Sequence, residues 1–323
     1  MNTKDGNASV PILEAHTTKR SLHRGVWSDL KRDKYLYVLG LPGIIYFLLF
    51  KYIPFSGLII AFENYSPYLG ILKSQWVGFE HFQRFFSNDD FYLLLRNTLA
   101  ISLLNLLFFF PFPIILSLLL NEVRNSVYKR VIQSIVYIPH FFSWVIIAGL
   151  TYLMLSQSEG LVNELLEVLG MAKIGFLTNS NSFWMMLTAQ SMWKEAGWGT
   201  IIFLAAIAGV DPQLSEAATV DGAGRFRKMW HITLPAIRNI IMILLILQLG
   251  SIMDTGFEQV YLMTNGAVSE VSDVFDTYVY RSGIQQGQFS YSTAVGLFKS
   301  VVGVALICMA NFLAKRFGQE GVF

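Results

Sequence analysis

The sequence predicts an all-α polytopic membrane protein with six transmembrane helices and both termini on the cytoplasmic side. Three observations predict it. Hydrophobic residues fill 54% of the 323 positions and charged residues only 14%, where a soluble globular domain carries about 25% charged residues. Six stretches are apolar over the ~20 residues that a membrane helix needs. Lysine and arginine collect in one set of the segments between them. The composition argues against a soluble enzyme, a disordered chain and a nucleic-acid binder. One cysteine, Cys308, cannot form an internal disulfide or a cysteine-based metal site. The five histidines (His16, His23, His81, His140 and His231) show no close metal-ligand spacing.

Taken in order, residues 1–34 are mostly polar and read as a cytoplasmic tail with no secretory signal. Trp27 and Leu30 stand among charges in 24–34, which fits a short interfacial helix on the inner leaflet or a disordered tail. Residues 35–323 read as the transmembrane domain. Its spans are 35–62, 99–120, 131–155, 182–210, 237–257 and 289–313. The second and third contain no Asp, Glu, Lys or Arg. The others hold Lys51, the pair Lys194 and Glu195, the pair Arg238 and Asp254, and Lys299. Pro42, Pro54, Pro111, Pro113 and Pro139 fall in or near spans, where kinks are tolerated. Of the outer segments, 63–90 is rich in aromatics, and 156–181 carries Leu161, Leu165, Leu166 and Leu169 at helical spacing. The third, 258–288, mixes acids, Gly and Tyr.

Orientation follows from the cations. With the N-terminus inside, the cytoplasmic segments hold Lys4, Lys19, Arg20, Arg24, Lys31, Arg32, Lys34, Arg124, Lys129, Arg130, Arg225, Arg227, Lys228, Arg238, Lys315 and Arg316. The outer segments hold Lys73, Arg84, Lys173 and Arg281. Sixteen against four places both termini inside.

The cytoplasmic segment 211–235 has the most structure written into it. Asp211 followed by Pro212 is a helix start, a side-chain cap and then Pro at the first helical position. Residues 213–220 suffice for about two turns. Gly222 and Gly224 permit a sharp bend with left-handed backbone angles. A second short helix fits 225–232, and Pro235 opens the next span. Ala217 and Ala218 make a small-residue face with Leu214 as an apolar anchor. Two readings fit such a unit: docking into a groove of a cytoplasmic partner, or an amphipathic connector lying on the lipid.

The run Glu216-Ala-Ala-x-x-Asp-Gly222, followed after nine residues by Ile232-x-Leu-Pro235, resembles the EAA motif of ABC-importer permeases. Further segments are similar to the maltose-type sugar permeases, especially their polysaccharide-type members. These are Leu41-Pro-Gly-Ile, Tyr52-Ile-Pro, Arg96-Asn-Thr-Leu, Leu120-Asn-Glu-Val, Tyr137-Ile-Pro-His-Phe-Phe-Ser-Trp144, Asp276-Thr-Tyr-Val-Tyr280 and Ala294-Val-Gly-Leu-Phe-Lys-Ser300. The resemblance runs from about residue 35 to the end. It implies the ABC type I importer permease fold in a bacterial cytoplasmic membrane. It also implies a second permease subunit, two ABC ATPase subunits, and an extracytoplasmic solute-binding protein that delivers an oligosaccharide. Glu216, Ala217, Ala218, Asp221, Gly222, Ile232, Leu234 and Pro235 would couple the chain to an ATPase. The chain lacks a Gly-x-x-x-x-Gly-Lys-Ser/Thr phosphate loop, so ATP and Mg would sit on the partners. No enzyme activity, cofactor or metal is expected in this chain itself.

Charges at membrane depth usually face a bundle interior or a wet cavity. Trp193, Lys194, Trp198, Asp254, Phe257, Glu258 and Lys299 are therefore candidates for the substrate path, with Trp144, Tyr152 and Tyr261 as further aromatics. The other reading is pairing between helices, for example Lys194 with Asp254, and belt or core packing for the aromatics. Lys194 and Glu195, being adjacent, are expected to face different partners. Asp254 and Glu258 share a face if their helix continues that far. His140, after Pro139, is expected to make a kink-stabilising hydrogen bond. Gly197, Gly199 and Gly209 suit close helix packing. If Lys194 and Lys299 line the path, an acidic, uronate-containing sugar follows. A permease for another cargo and an ion-gradient secondary transporter are the alternatives. An intramembrane enzyme finds no catalytic set.

Overall fold

The structure, a computed structural model, describes residues 33–316 and 318. The interfacial helix expected over 24–34 and the tail over 1–34 lie almost wholly outside the described residues. The chain divides into two units, one ending at Gly57 and the other beginning at Leu58. In the first, α1 (Lys34–Phe47) continues through a wide turn, Leu48–Tyr52, into Ile53–Phe55. No residue of α1 is buried. A helix apolar all round and covered by nothing in its own unit is suited to lipid.

The second unit opens with a short hairpin. Strands β1 (Glu63–Asn64) and β2 (Gln75–Trp76) pair antiparallel, Glu63 opposite Trp76. Phe62 stacks on Trp76 and meets Phe79 and Phe82, so the aromatics of this outer segment pack on one another. Helix α2 (Glu80–Phe86) follows. Then come α3 (Asp90–Leu104), α4 (Pro111–Asn121), α5 (Ser126–Tyr137) and α6 (Trp144–Leu155). The leucine pattern in the next outer segment forms α7 (Leu161–Val168) as expected. Helices α8 (Phe183–Ala208), α9 (Pro212–Val220), α10 (Arg225–Lys228) and α11 (Arg238–Gly250) complete the middle of the chain. The last are α12 (Phe257–Met263), α13 (Ser269–Ser272), α14 (Phe275–Tyr280) and α15 (Phe289–Arg316).

Among the described residues three stretches are long and apolar enough to cross a membrane without a break: Lys34–Phe62, Asp90–Asn121 and Phe289–Arg316. Three more pass only as bent pairs. Ser126–Phe141 with Trp144–Leu155 bends by 103°, Phe183–Ala208 with Pro212–Val220 by 72°, and Arg225–Ala236 with Arg238–Gly250 by 61°. These six match the six expected spans in order, with two corrections to their shape. The third is not one helix over 131–155. Pro139 cannot continue the ladder, and Ser143 starts a new helix by accepting from Ile146 N–H at 3.4 Å. The fifth stops at Gly250 instead of 257. Gly256, at φ +83, then launches α12 in a new direction, so Asp254 and Glu258 do not share a helix face.

Prolines set three of the other irregularities. Wide π-type turns at Leu48–Tyr52, Asn105–Phe109 and Met229–Thr233 each lie just before a proline: Pro54, Pro111 and Pro235. The ring clashes with the carbonyl four residues back. Widening the preceding turn by one residue relieves that clash and keeps the helix running.

Three buried clusters hold the second unit together. One joins Ile101, Phe183, Leu187, Val260 and Met263. Another joins Phe85, Leu94, Phe275, Tyr291 and Val295. The third joins Ile114, Leu118, Phe203, Ile207 and Ile237 near the cytoplasmic loop. Glycines make the tightest crossings. A β-carbon on Gly197 of α8 would lie 2.2 Å from the carbonyl oxygen of Val136 in α5, and one on Gly199 would lie 3.0 Å from Pro113 in α4. On Gly250 of α11 it would lie 2.1 Å from Ile307 in α15. Small residues that let backbones approach are how helices associate in lipid, where no hydrophobic drive separates helix from solvent.

Candidate functional site: the cytoplasmic elbow and the charged clusters

Residues 211–235 form the expected helix, glycine elbow and second helix. The Asp211 carboxylate accepts from the Gln213 N–H at 2.9 Å, which caps α9. The elbow closes the other end. Ala223 N–H donates to the Ala218 carbonyl at 2.8 Å and Gly222 N–H to the Thr219 carbonyl at 3.1 Å. This pair of bonds is the Schellman arrangement, which needs a left-handed residue at its centre. Gly222 supplies it at φ +79, with open space around its α-carbon. Backbone angle alone therefore demands glycine there. Gly224 does not share the role expected for it: at φ −70 it is extended and leads into α10. Lys228 ties the two arms, donating to Thr219 Oγ1 at 3.2 Å.

Of the residues singled out in this loop, Glu216, Ala217, Asp221, Gly222 and Pro235 are exposed, while Ala218, Ile232 and Leu234 are half-buried. Leu214, Val220, Phe226 and Trp230 are exposed apolar residues beside them. Ala218, Asp221, Arg227 and His231 line a shallow hollow between the arms. The unit is pinned by its own hydrogen bonds and presents both small and large apolar groups outward.

The intramembrane charges form two separate clusters. In the first, Lys194 Nζ donates to the His140 carbonyl at 2.8 Å and to Glu195 Oε1 at 3.0 Å. Glu195 Oε2 lies 2.6 Å from His140 Nδ1, and the His140 ring stacks on Trp198 at 4.5 Å. Lys194 is 7% exposed and sits over the Trp144 ring at 5.6 Å. Lys194 and Glu195 thus do pair, against the expectation. Both reach back to the bend at Pro139, whose carbonyl-bearing neighbour His140 draws them to one side. His140 bonds at the kink as expected, through both its ring and its backbone.

In the second cluster, Lys299 on α15 meets the carboxylates of Asp254 and Asp276. Asp276 also accepts from Thr255 N–H at 3.4 Å. Asp254 therefore pairs with Lys299 and not with Lys194. Phe257 belongs to neither cluster. It stacks on Tyr261 at 5.2 Å and leans on Tyr280 at 5.1 Å. Glu258, Trp193 and Trp198 are exposed.

Several polar groups escaped the sequence reading. Gln259 donates to the Leu187 carbonyl at 2.7 Å and to Gln190 Oε1 at 3.0 Å, and accepts from Ser191 at 3.1 Å. Gln190 in turn donates to Thr151 Oγ1 at 2.7 Å. This net joins α6, α8 and α12. Its only sequence signal is glutamine in apolar surroundings. On the outer segment Arg281 donates to Asp273 at 2.6 Å, and that bond lifts the guanidinium pKa further above its already high range. Burial likewise pushes the Tyr278 hydroxyl above its usual range.

Residues 109–319 match the family described as "binding-protein-dependent transport system inner membrane component". Among relatives, Protein LplB of Bacillus subtilis (strain 168) is 60% identical, with all of both chains aligned. The polygalacturonan/rhamnogalacturonan transport system permease protein YteP of the same organism is 53% identical over 99% of this chain and 100% of its own. A solved chain from a bacterial alginate ABC transporter, in complex with an alginate pentasaccharide-bound periplasmic protein, superposes with a TM-score of 0.85. It is 42% identical and covers 92% of this chain and 99% of its own. The chain belongs to this family: it is a multi-pass membrane permease with the ABC type I importer fold.

Proposed function

We propose that the chain is one permease subunit of an ATP-driven importer of oligosaccharides, acidic uronate-containing ones included. It works in the bacterial cytoplasmic membrane beside a second permease subunit. Two ABC ATPase subunits bind below and carry the ATP and Mg. An extracytoplasmic solute-binding protein delivers the sugar. Residues 1–34 are the cytoplasmic tail and 35–323 the permease domain, with 211–235 as its coupling loop. Glu216, Ala217, Ala218, Asp221, Gly222, Ile232, Leu234 and Pro235 form or hold the docking surface for an ATPase.

One observation carries this reading: α9 and its elbow stand exposed and self-braced, with apolar side chains and none of α9 buried by the other described residues. The oligosaccharide cargo is supported by the polygalacturonan/rhamnogalacturonan permease and by the alginate transporter. It draws less support from Lys194 and Lys299, since each already faces a carboxylate. The same pairing weakens the alternative in which these charges form an ion site.

The test is uptake by the reconstituted complex with its partner subunits in proteoliposomes, offered trigalacturonate and neutral trisaccharides. The expected result is uptake that requires ATP on the ATPase side and favours the uronate. Uptake driven by a proton or sodium gradient without ATP would overturn the importer reading.

A further inference from the structure

The outer segment between the last two spans forms an open cleft of about 480 Å³, within the range of small-ligand pockets, about 300–1,000 Å³. Its walls combine two kinds of surface. Tyr261 and Tyr280 supply aromatic faces, their rings 5.4 Å apart at 73°, and Tyr261 is 45% exposed. Asp273, Arg281 and Gln285 also line it. The Arg281–Asp273 pair is fixed at 2.6 Å, and the Thr277 hydroxyl lies 2.8 Å from the other carboxylate oxygen. That bond to Asp273 uses one of the five donors of a guanidinium. Ser272 is fully buried behind this wall, so the polar groups that a guest can reach are Asp273, Arg281 and Gln285.

We infer that this cleft is a pyranose-binding subsite on the outer face, ahead of the membrane path. A pyranose ring has an apolar C–H face and a rim of hydroxyls that both donate and accept. The tyrosines match the face. The neutral carboxylate–guanidinium pair and the amide match the rim. The pair cancels its own charge, so the subsite recognises the ring and its hydroxyls rather than a uronate charge. Phe257, stacked on Tyr261, extends the aromatic surface toward the end of the fifth span. The inference rests on the oligosaccharide reading and names where that cargo first touches this chain.

The experiment uses the full complex. Tyr261→Ala and Gln285→Ala change exposed side chains, and both complexes are checked for assembly and basal ATPase activity. Two quantities are read: the KM for trigalacturonate uptake with the binding protein present, and direct binding of trigalacturonate to the complex without it. Tyr261→Ala is expected to weaken both by about tenfold, the loss of one aromatic face. Gln285→Ala weakens both less, and Tyr261→Trp restores wild-type values. Wild-type uptake with unchanged KM and binding in both alanine variants overturns the subsite alone. A raised KM with unchanged direct binding also overturns it, since the surface then serves the binding protein. If Tyr261→Ala does not assemble, Gln285→Ala decides. Absence of oligosaccharide uptake by the wild-type complex brings down the cargo reading and the subsite with it.

Discussion

Lys299 shows how much a single membrane charge depends on what meets it. Its ammonium stands between two carboxylates, that of Asp254 in the connection after α11 and that of Asp276 on α14, and its side chain is 15% exposed. Lys299→Gln leaves Asp254 and Asp276 facing each other without a counter-charge. Asp254 is 66% exposed, so water screens part of that cost and about 1–2 kcal/mol is expected. The readout is a lower melting temperature of the detergent-solubilised complex, with partial recovery on adding Asp276→Asn. An unchanged melting temperature would remove the triad from the list of structural contacts. Lys299 and Asp254 were both legible as costly charges. Their partnership was not, because Asp276 arrives from an outer helix whose docking no local pattern encodes. Lys194 and Glu195 misled for a related reason. Adjacent helical residues point about 100° apart, yet a four-carbon stem bends back once the His140 carbonyl anchors it.

Among the elements, the elbow of residues 211–235 was the most legible: a cap, a proline and a glycine stand in plain order. Its physics is also local, so nothing distant could overrule it. Gly222→Val forces a β-branched residue to φ +79, a strain of about 1–3 kcal/mol. Because no neighbour crowds the site, the loop itself will deform while the spans stay folded. Membrane abundance is expected to remain near wild type, while substrate-stimulated ATP turnover and uptake fall together. Preserved stimulation would show that the elbow geometry is dispensable. Lys228→Met, which unties the two arms, is expected to give a milder loss of the same kind. The wide turns before Pro54, Pro111 and Pro235 were half legible. Each proline announced an irregularity, but a kink and a widened turn share the same sequence. At Pro139 the outcome was different again: a 103° break, because Ser143 offers a fresh cap.

Across the whole molecule, the number and order of the candidate spans followed from apolar length. That is a sum over many residues and tolerates local error. Packing between spans did not follow, because it depends on rotations that an apolar face leaves free. The Gly250–Gly303 crossing of α11 and α15 is such a case. A β-carbon on Gly303 would lie 2.8 Å from the Gly250 carbonyl oxygen. Gly250→Leu is expected to destabilise the complex by about 1–3 kcal/mol and to reduce its yield from membranes. Gly266→Leu, at a site with open space, serves as the control and should behave like wild type.

The widened turn at Met229–Thr233 has a geometric consequence. It lies between the exposed elbow and the fifth span, just before a residue that cannot donate to the helix ladder. A turn widened ahead of a proline in this way keeps the segment after the elbow helical up to the 61° bend that precedes α11. The stretch from Arg225 to Gly250 therefore changes course twice, once as a relaxed coil and once as a sharp corner.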